Sequence, residues 1–97
     1  MAPSLELRLG ALPHRAALVI DLEQRLAALA ARYASLMRCR VFVERANSRA
    51  AIDVNMELLM PGREIVVGTG RPRTELDAAL TDAFGAAESA LARHANH

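Results

Sequence analysis

Aromatic residues are scarce in this chain of 97 residues: it has no tryptophan, one tyrosine (Tyr33) and two phenylalanines (Phe42 and Phe84). Readers of single-stranded nucleic acid stack bases on aromatic side chains. Tyr33 and Phe84 both fall on the apolar stripes of predicted helices, so no stacking platform is left, and an RRM-like or OB-like reader is disfavoured. Cysteine is rarer still. Cys39 stands alone, which excludes an internal disulfide, and the scattered His14, His94 and His97 lack the spacing of a structural zinc site. Neither metal nor cofactor is expected. Long hydrophobic runs are also missing: nothing approaches the ~20 apolar residues of a membrane-spanning helix. The opening "MAPSLELRLG" has neither a basic leader nor a signal-type apolar stretch. The expectation is a soluble, cytoplasmic protein of one domain over residues 1–97, with no membrane partner.

Lysine is absent as well; all twelve basic residues are arginine, against eleven acids, for a net charge of +1. Arginine favours bidentate contacts to phosphate or carboxylate, and an alanine-rich, lysine-free composition is equally what a genomic bias produces. The charges are segregated along the chain. Between residues 24 and 49, Arg25, Arg32, Arg38, Arg40, Arg45 and Arg49 stand against a lone Glu44, a local charge of +5. From Thr74 to Ala92 the acids Glu75, Asp77, Asp82 and Glu88 meet no base, a local charge of −4.

The apolar periodicity predicts six elements. Leu5, Leu7 and Leu9 alternate with Glu6 and Arg8, a half-buried strand ended by Gly10. Pro13 suits a first helical turn, and Leu18, Leu22, Leu26, Leu29 and Tyr33 recur as the stripe of an amphipathic helix over about 14–34, with Arg25 and Arg32 towards its polar side. A second strand spans Cys39 to Glu44, followed by the polar turn "RANSRA". Ile52, Val54, Met56 and Leu58 alternate with Asp53, Asn55 and Glu57, a strand with one wet face. "PGR" at Pro61–Arg63 signals a hairpin, with proline presetting the first turn position and glycine taking positive φ. Glu64 to Thr69 is the fourth strand, and "GTGRPRT" is a loop. Thr74 followed by Asp77 fits a capping-box start for a second helix carrying Leu76, Leu80, Ala83, Phe84, Ala87 and Leu91.

The order β-α-β-β-β-α defines an α+β fold: a four-stranded sheet with both helices packed on one face. The other face then holds Glu6, Arg8, Arg38, Arg40, Phe42, Asp53, Asn55, Glu57 and Glu64. In "MRCRVFVER", Arg38, Arg40 and Phe42 alternate with Cys39, Val41 and Val43. Three uses exist for that arginine side: a solvated face, a phosphate-reading face, or the surroundings of a reactive cysteine. Pairing of Arg38 and Arg40 with acids on neighbouring strands is the preferred reading. Cys39 points towards the helices as a small apolar residue, and no neighbouring histidine activates it. No Ser-His-Asp or Cys-His constellation is nominated. "GTGRPR" lacks the lysine and hydroxyl residue of a P-loop and the three glycines of a dinucleotide loop. A non-enzymatic role is expected.

Three stretches together carry a family resemblance: "LEQRLAALAARYASLMRCRVFVE", "IDVNMELLMPGREIVV" and "LDAALTDAFGAAESALARH". In them the whole chain resembles the ribosome-associated inhibitor and hibernation-promoting factor family, whose members are also called sigma 54 modulation proteins. The resemblance implies a fold related to double-stranded RNA-binding domains. It further implies a bacterial stress or stationary-phase factor that binds the small ribosomal subunit through ribosomal RNA and inhibits translation or promotes hibernation. The ending after the second helix is similar to the family's short members. Arg25 and Arg93 fall where the family commonly has basic residues. The family crowds bases along its second helix, whereas the matching positions here hold Ala86, Glu88, Ser89 and Ala92.

On this basis Arg25, Arg32, Arg45, Arg49, Arg71, Arg73 and Arg93 are the candidate RNA phosphate contacts. The alternative is a module that keeps the fold, has lost ribosome affinity, and binds another protein or itself through the open sheet face or an edge strand.

Overall fold

The structure, a computed structural model, describes residues 3–10, 16–45, 51–68 and 72–95. The expected polar turn after the second strand, the helix start at Pro13 and most of the "GTGR" loop lie outside these residues. Six elements follow in the expected order: β1 (Ser4–Leu9), α1 (Ala16–Arg32), β2 (Arg38–Arg45), β3 (Ile52–Met60), β4 (Arg63–Gly68) and α2 (Leu76–Ala95). The strands form one sheet in the order β1-β2-β3-β4. β1 runs parallel to β2, with Leu5 beside Cys39 and Leu7 beside Val41. β2–β3 and β3–β4 are antiparallel.

Period-two alternation sends Leu5, Leu7 and Leu9, Cys39, Val41 and Val43, Val54, Met56 and Leu58, and Ile65 and Val67 to one face. The helices cover that face, α1 beside β1 and α2 over β3 and β4. Leu18, Leu22, Leu26 and Leu29 form the buried side of α1, as their spacing predicts. On α2 the buried residues include Ala79, Ala83 and Ala87, all inaccessible to solvent. Their small side chains let the helix backbone settle close to the strands. Each Leu, Val or Met taken from water contributes about 1.5–3 kcal/mol. No buried side-chain nitrogen or oxygen among the described residues lacks a hydrogen-bond partner.

The β3–β4 hairpin closes through Met60 opposite Arg63. Pro61 and Gly62 form its tip, and Gly62 takes φ 71°, the left-handed conformation that glycine adopts without steric cost. The capping box differs from expectation. α2 begins at Leu76, with the Ala79 N–H donating to the Glu75 carbonyl. Asp77 is turned to Arg25 instead of serving the helix start, because a guanidinium across the helix pair offers it a charged partner. Of the methionines, Met56 is fully buried and Met37 is exposed at the entry to β2.

Cys39 is fully buried between Leu5 of β1 and Leu58 of β3, and burial pushes its thiol up to about 12. The thiolate is the reactive form, so native Cys39 is expected to label slowly with thiol reagents at pH 8 and fast in denaturant. Met56→Ala is expected to cost about 2–5 kcal/mol in a urea titration, since the cavity would open between sheet and helices.

Candidate nucleic-acid interface

Placing both helices on one face brings their adjacent flanks together. On α1, Asp21, Arg25, Ala28 and Arg32 succeed one another at helical spacings of four, three and four, a row on one side of the apolar stripe. On α2 the facing row is Asp77, Thr81, Phe84 and Glu88, spaced by four, three and four. Between the rows lies a groove of about 340 Å3, floored by Leu29 and Phe84.

Arg25 uses every nitrogen of its guanidinium there. Its Nε donates to Asp21 Oδ2 at 2.9 Å, Nη2 to Asp77 Oδ1 at 2.8 Å and Nη1 to Thr81 Oγ1 at 3.2 Å. Two turns on, Arg32 donates to Glu88 and lies 5.9 Å from the Tyr33 ring centroid. Arg73 sits just before α2, its backbone bridged to Ile52, and its Nη1 donates to Asp82 Oδ2 at 3.1 Å. Three of the seven candidate phosphate contacts are therefore already paired with carboxylates of α2. Among the described residues, Arg25 and Arg32 are the two candidates that line the interhelical groove. Arg45 is exposed at the end of β2. Arg93 is exposed in the last turn of α2 and forms no ion pair with the described residues. Arg49 and Arg71 lie outside the described residues.

The open sheet face is organised around Arg40. Register sets Glu6, Arg40 and Glu57 side by side across β1, β2 and β3. Arg40 Nε donates to Glu6 Oε2 at 3.0 Å and Nη1 to Glu57 Oε1 at 3.2 Å, while Arg8 Nη2 donates to the other Glu6 oxygen at 2.9 Å. Hydrogen bonds from Arg8, then from Arg40, lower the Glu6 pKa. The bonds to Glu6 and Glu57 raise that of Arg40. The expected cross-strand pairing thus holds for Arg40 and fails for Arg38. Its neighbours in register are Ser4 and Leu59, and the acid of that row, Glu64, is two strands away on β4.

One contact escaped the sequence reading altogether. Arg63, after the hairpin tip, hydrogen-bonds to His94 Nδ1 in the last turn of α2; the two are 31 residues apart and no periodicity links them. The interhelical pairs did leave a signal in the opposed charges of residues 24–49 and 74–92.

The fold defines a class of small α+β proteins with two helices on one face of a four-stranded sheet. Two solved structures share it from end to end. A ribosomal subunit interface protein from Coxiella burnetii is similar at a TM-score of 0.84 and 11% identity, over 97% of this chain and 99% of that one. The N-terminal domain of Protein Y from Thermus thermophilus is similar at 0.79 and 20% identity, again over 97% and 99%. No protein-family model matches the chain, and no curated protein matches it. The likeness is one of fold, and that fold is the one the sequence resemblance implies.

Exposed ion pairs contribute at most about 1 kcal/mol each. Arg25, the least exposed of these arginines with three partners, is expected to lose about 1 kcal/mol of stability as Arg25→Ala, and Arg32→Ala less than about 0.5 kcal/mol, both read by urea denaturation. Because the Glu6 carboxyl is held below its ordinary range, its share of stability is present above the unfolded-state pKa and lost as pH falls through the folded one. Glu6→Gln is expected to flatten the loss of stability below about pH 4 in acid titrations.

Proposed function

We propose that this protein is a ribosome-associated factor that binds the small subunit through ribosomal RNA and inhibits translation, or promotes hibernation, when growth slows. The observation that carries this reading is the end-to-end match to a ribosomal subunit interface protein, over 97% of this chain and 99% of that one. On this reading the role is cytoplasmic and non-enzymatic, without a cofactor. The phosphate contacts are Arg25, Arg32, Arg45, Arg49, Arg71, Arg73 and Arg93, in a domain spanning residues 1–97.

The α2 carboxylates modify how such contacts work. A surface ion pair worth at most about 1 kcal/mol is readily exchanged for a phosphate. The displaced carboxylates of Asp77, Asp82 and Glu88 stay nearby and repel the incoming phosphate, so binding is weaker than the arginine count implies. This favours, as a second reading, a module that has kept the fold and given up ribosome affinity, its arginines now serving the helix pair.

Sedimentation with small subunits over a salt series separates the two. Log affinity is expected to fall with log salt at a slope of about −0.7 to −0.9 per phosphate neutralised. Arg25→Gln with Arg93→Gln flattens that slope by roughly one unit for each phosphate no longer held. Asp77→Asn with Glu88→Gln tightens binding, since it frees Arg32, leaves Arg25 with Asp21 as its one carboxylate partner and removes repulsion from α2. If neither wild type nor that charge-neutralised variant co-sediments at low salt, the module reading replaces the ribosomal one.

A further inference from the structure

β1 is an edge strand, and among the described residues no strand pairs with its outer side. The Ser4 N–H donates to the Met37 carbonyl and the Gly10 N–H to that of Val43, so the backbone groups of Ser4, Glu6, Arg8 and Gly10 face β2. Those of Leu5, Leu7 and Leu9 face outward, with no strand beside them. The same three leucines are only partly buried. Beside them a groove of about 440 Å3, lined by Pro3, Leu5, Leu7, Val19, Leu26 and Ala27 with Glu23 at its α1 side, opens between β1 and α1. Within Ser4–Leu9, β1 has no proline, no lysine and no charge on its inner face, and its only edge charges are Glu6 and Arg8 on the wet face.

We propose that β1 pairs antiparallel with β1 of a second copy of this chain, about a two-fold axis at Leu7. The outward backbone groups dictate that Leu5, Leu7 and Leu9 occupy the hydrogen-bonded positions, which allows registers centred on Glu6, Leu7 or Arg8. Centring on Glu6 sets Glu6 against its own copy, and centring on Arg8 does the same to Arg8. Centring on Leu7 sets Glu6 opposite Arg8 twice, at the closely spaced non-hydrogen-bonded positions where side chains meet. It also lines Leu5 up with Leu9 and Leu7 with Leu7 on the dry face, joining two grooves under two copies of α1. Charge complementarity thus selects one register and one occupant. The opposite edge offers no such match, for the outer side of β4 carries only Glu64 and Val66 beside Gly68. This assembly does not depend on ribosome binding and is tested without ribosomes.

Analytical ultracentrifugation of the full chain from micromolar to millimolar concentration is expected to show a monomer–dimer equilibrium. Arg8→Glu sets like charges across the seam and weakens association roughly tenfold; Glu6→Arg does the same. A mixture of the two variants restores association, because a strand with two arginines then faces one with two glutamates. Glu6 also holds Arg40, so circular dichroism checks that variant's fold, and Arg8, exposed over 72% of its side chain, carries the test alone if it unfolds. In hydrogen exchange, the amides of Leu5, Leu7 and Leu9 are expected to gain protection with concentration. A protein that stays monomeric at millimolar concentration overturns the proposal. So does association indifferent to Arg8→Glu, or one that leaves those three amides exchanging freely.

Discussion

Burial of one face of the sheet is the constraint on which the other features depend. Every strand alternates, and the alternation collects Leu5, Leu7, Leu9, Val41, Val43, Val54, Leu58, Val67, Ile52, Ile65, Met56 and Cys39 on a single side. Two amphipathic helices with one stripe each have nowhere else to bury those stripes, so they lie side by side. Once they do, the polar flank of α1 has to confront the polar flank of α2. The ion pairs of Arg25 and Arg32 are consequences of that packing and contribute little to it, since apolar burial outweighs exposed charge pairs severalfold.

The pairing changes what the arginines mean. An arginine whose guanidinium already satisfies two carboxylates and a hydroxyl, as Arg25 does, presents a phosphate with a competed site. Much of the positive charge of α1 is cancelled locally, and the field that would steer a polyanion weakens accordingly. The same holds on the open sheet face, where Glu6 and Glu57 flank Arg40. Among the described residues, the cationic groups without a carboxylate partner include two at the periphery: Arg93 at the end of α2 and Arg38 at the start of β2.

β1 stands apart from the rest of the sheet. It is held on one side by β2 and roofed only in part by α1, so its leucines are half-buried where those of α1 are fully so. A sheet edge of this kind is a template for further pairing unless charge, proline or a partner blocks it. In the proposed pairing, charge on the wet face restricts β1 to a single register with itself, which is specificity obtained from two side chains.

The element order, the inner and outer sides of every strand, the Pro61–Gly62 hairpin and the burial of Cys39 were legible in the chain, because each rests on local periodicity or on a single residue's conformational preference. The family resemblance was legible for the same reason: it resides in patterns within contiguous stretches. The segregation of charge into 24–49 and 74–92 was visible too, yet its meaning was not. Periodicity says that Arg25 and Arg32 share a helix flank; it does not say which flank of α2 they will meet. That choice is made by the lateral placement of two helices on a shared sheet, 52 residues apart for Arg25 and Asp77. The same limit explains why Arg40 found its acids and Arg38 did not, and why the Arg63–His94 contact had no warning. Sequence determined the faces of each element, because a face depends on neighbours in the chain. Only the tertiary structure decided which charges stand opposite one another, because that depends on how the faces are set side by side.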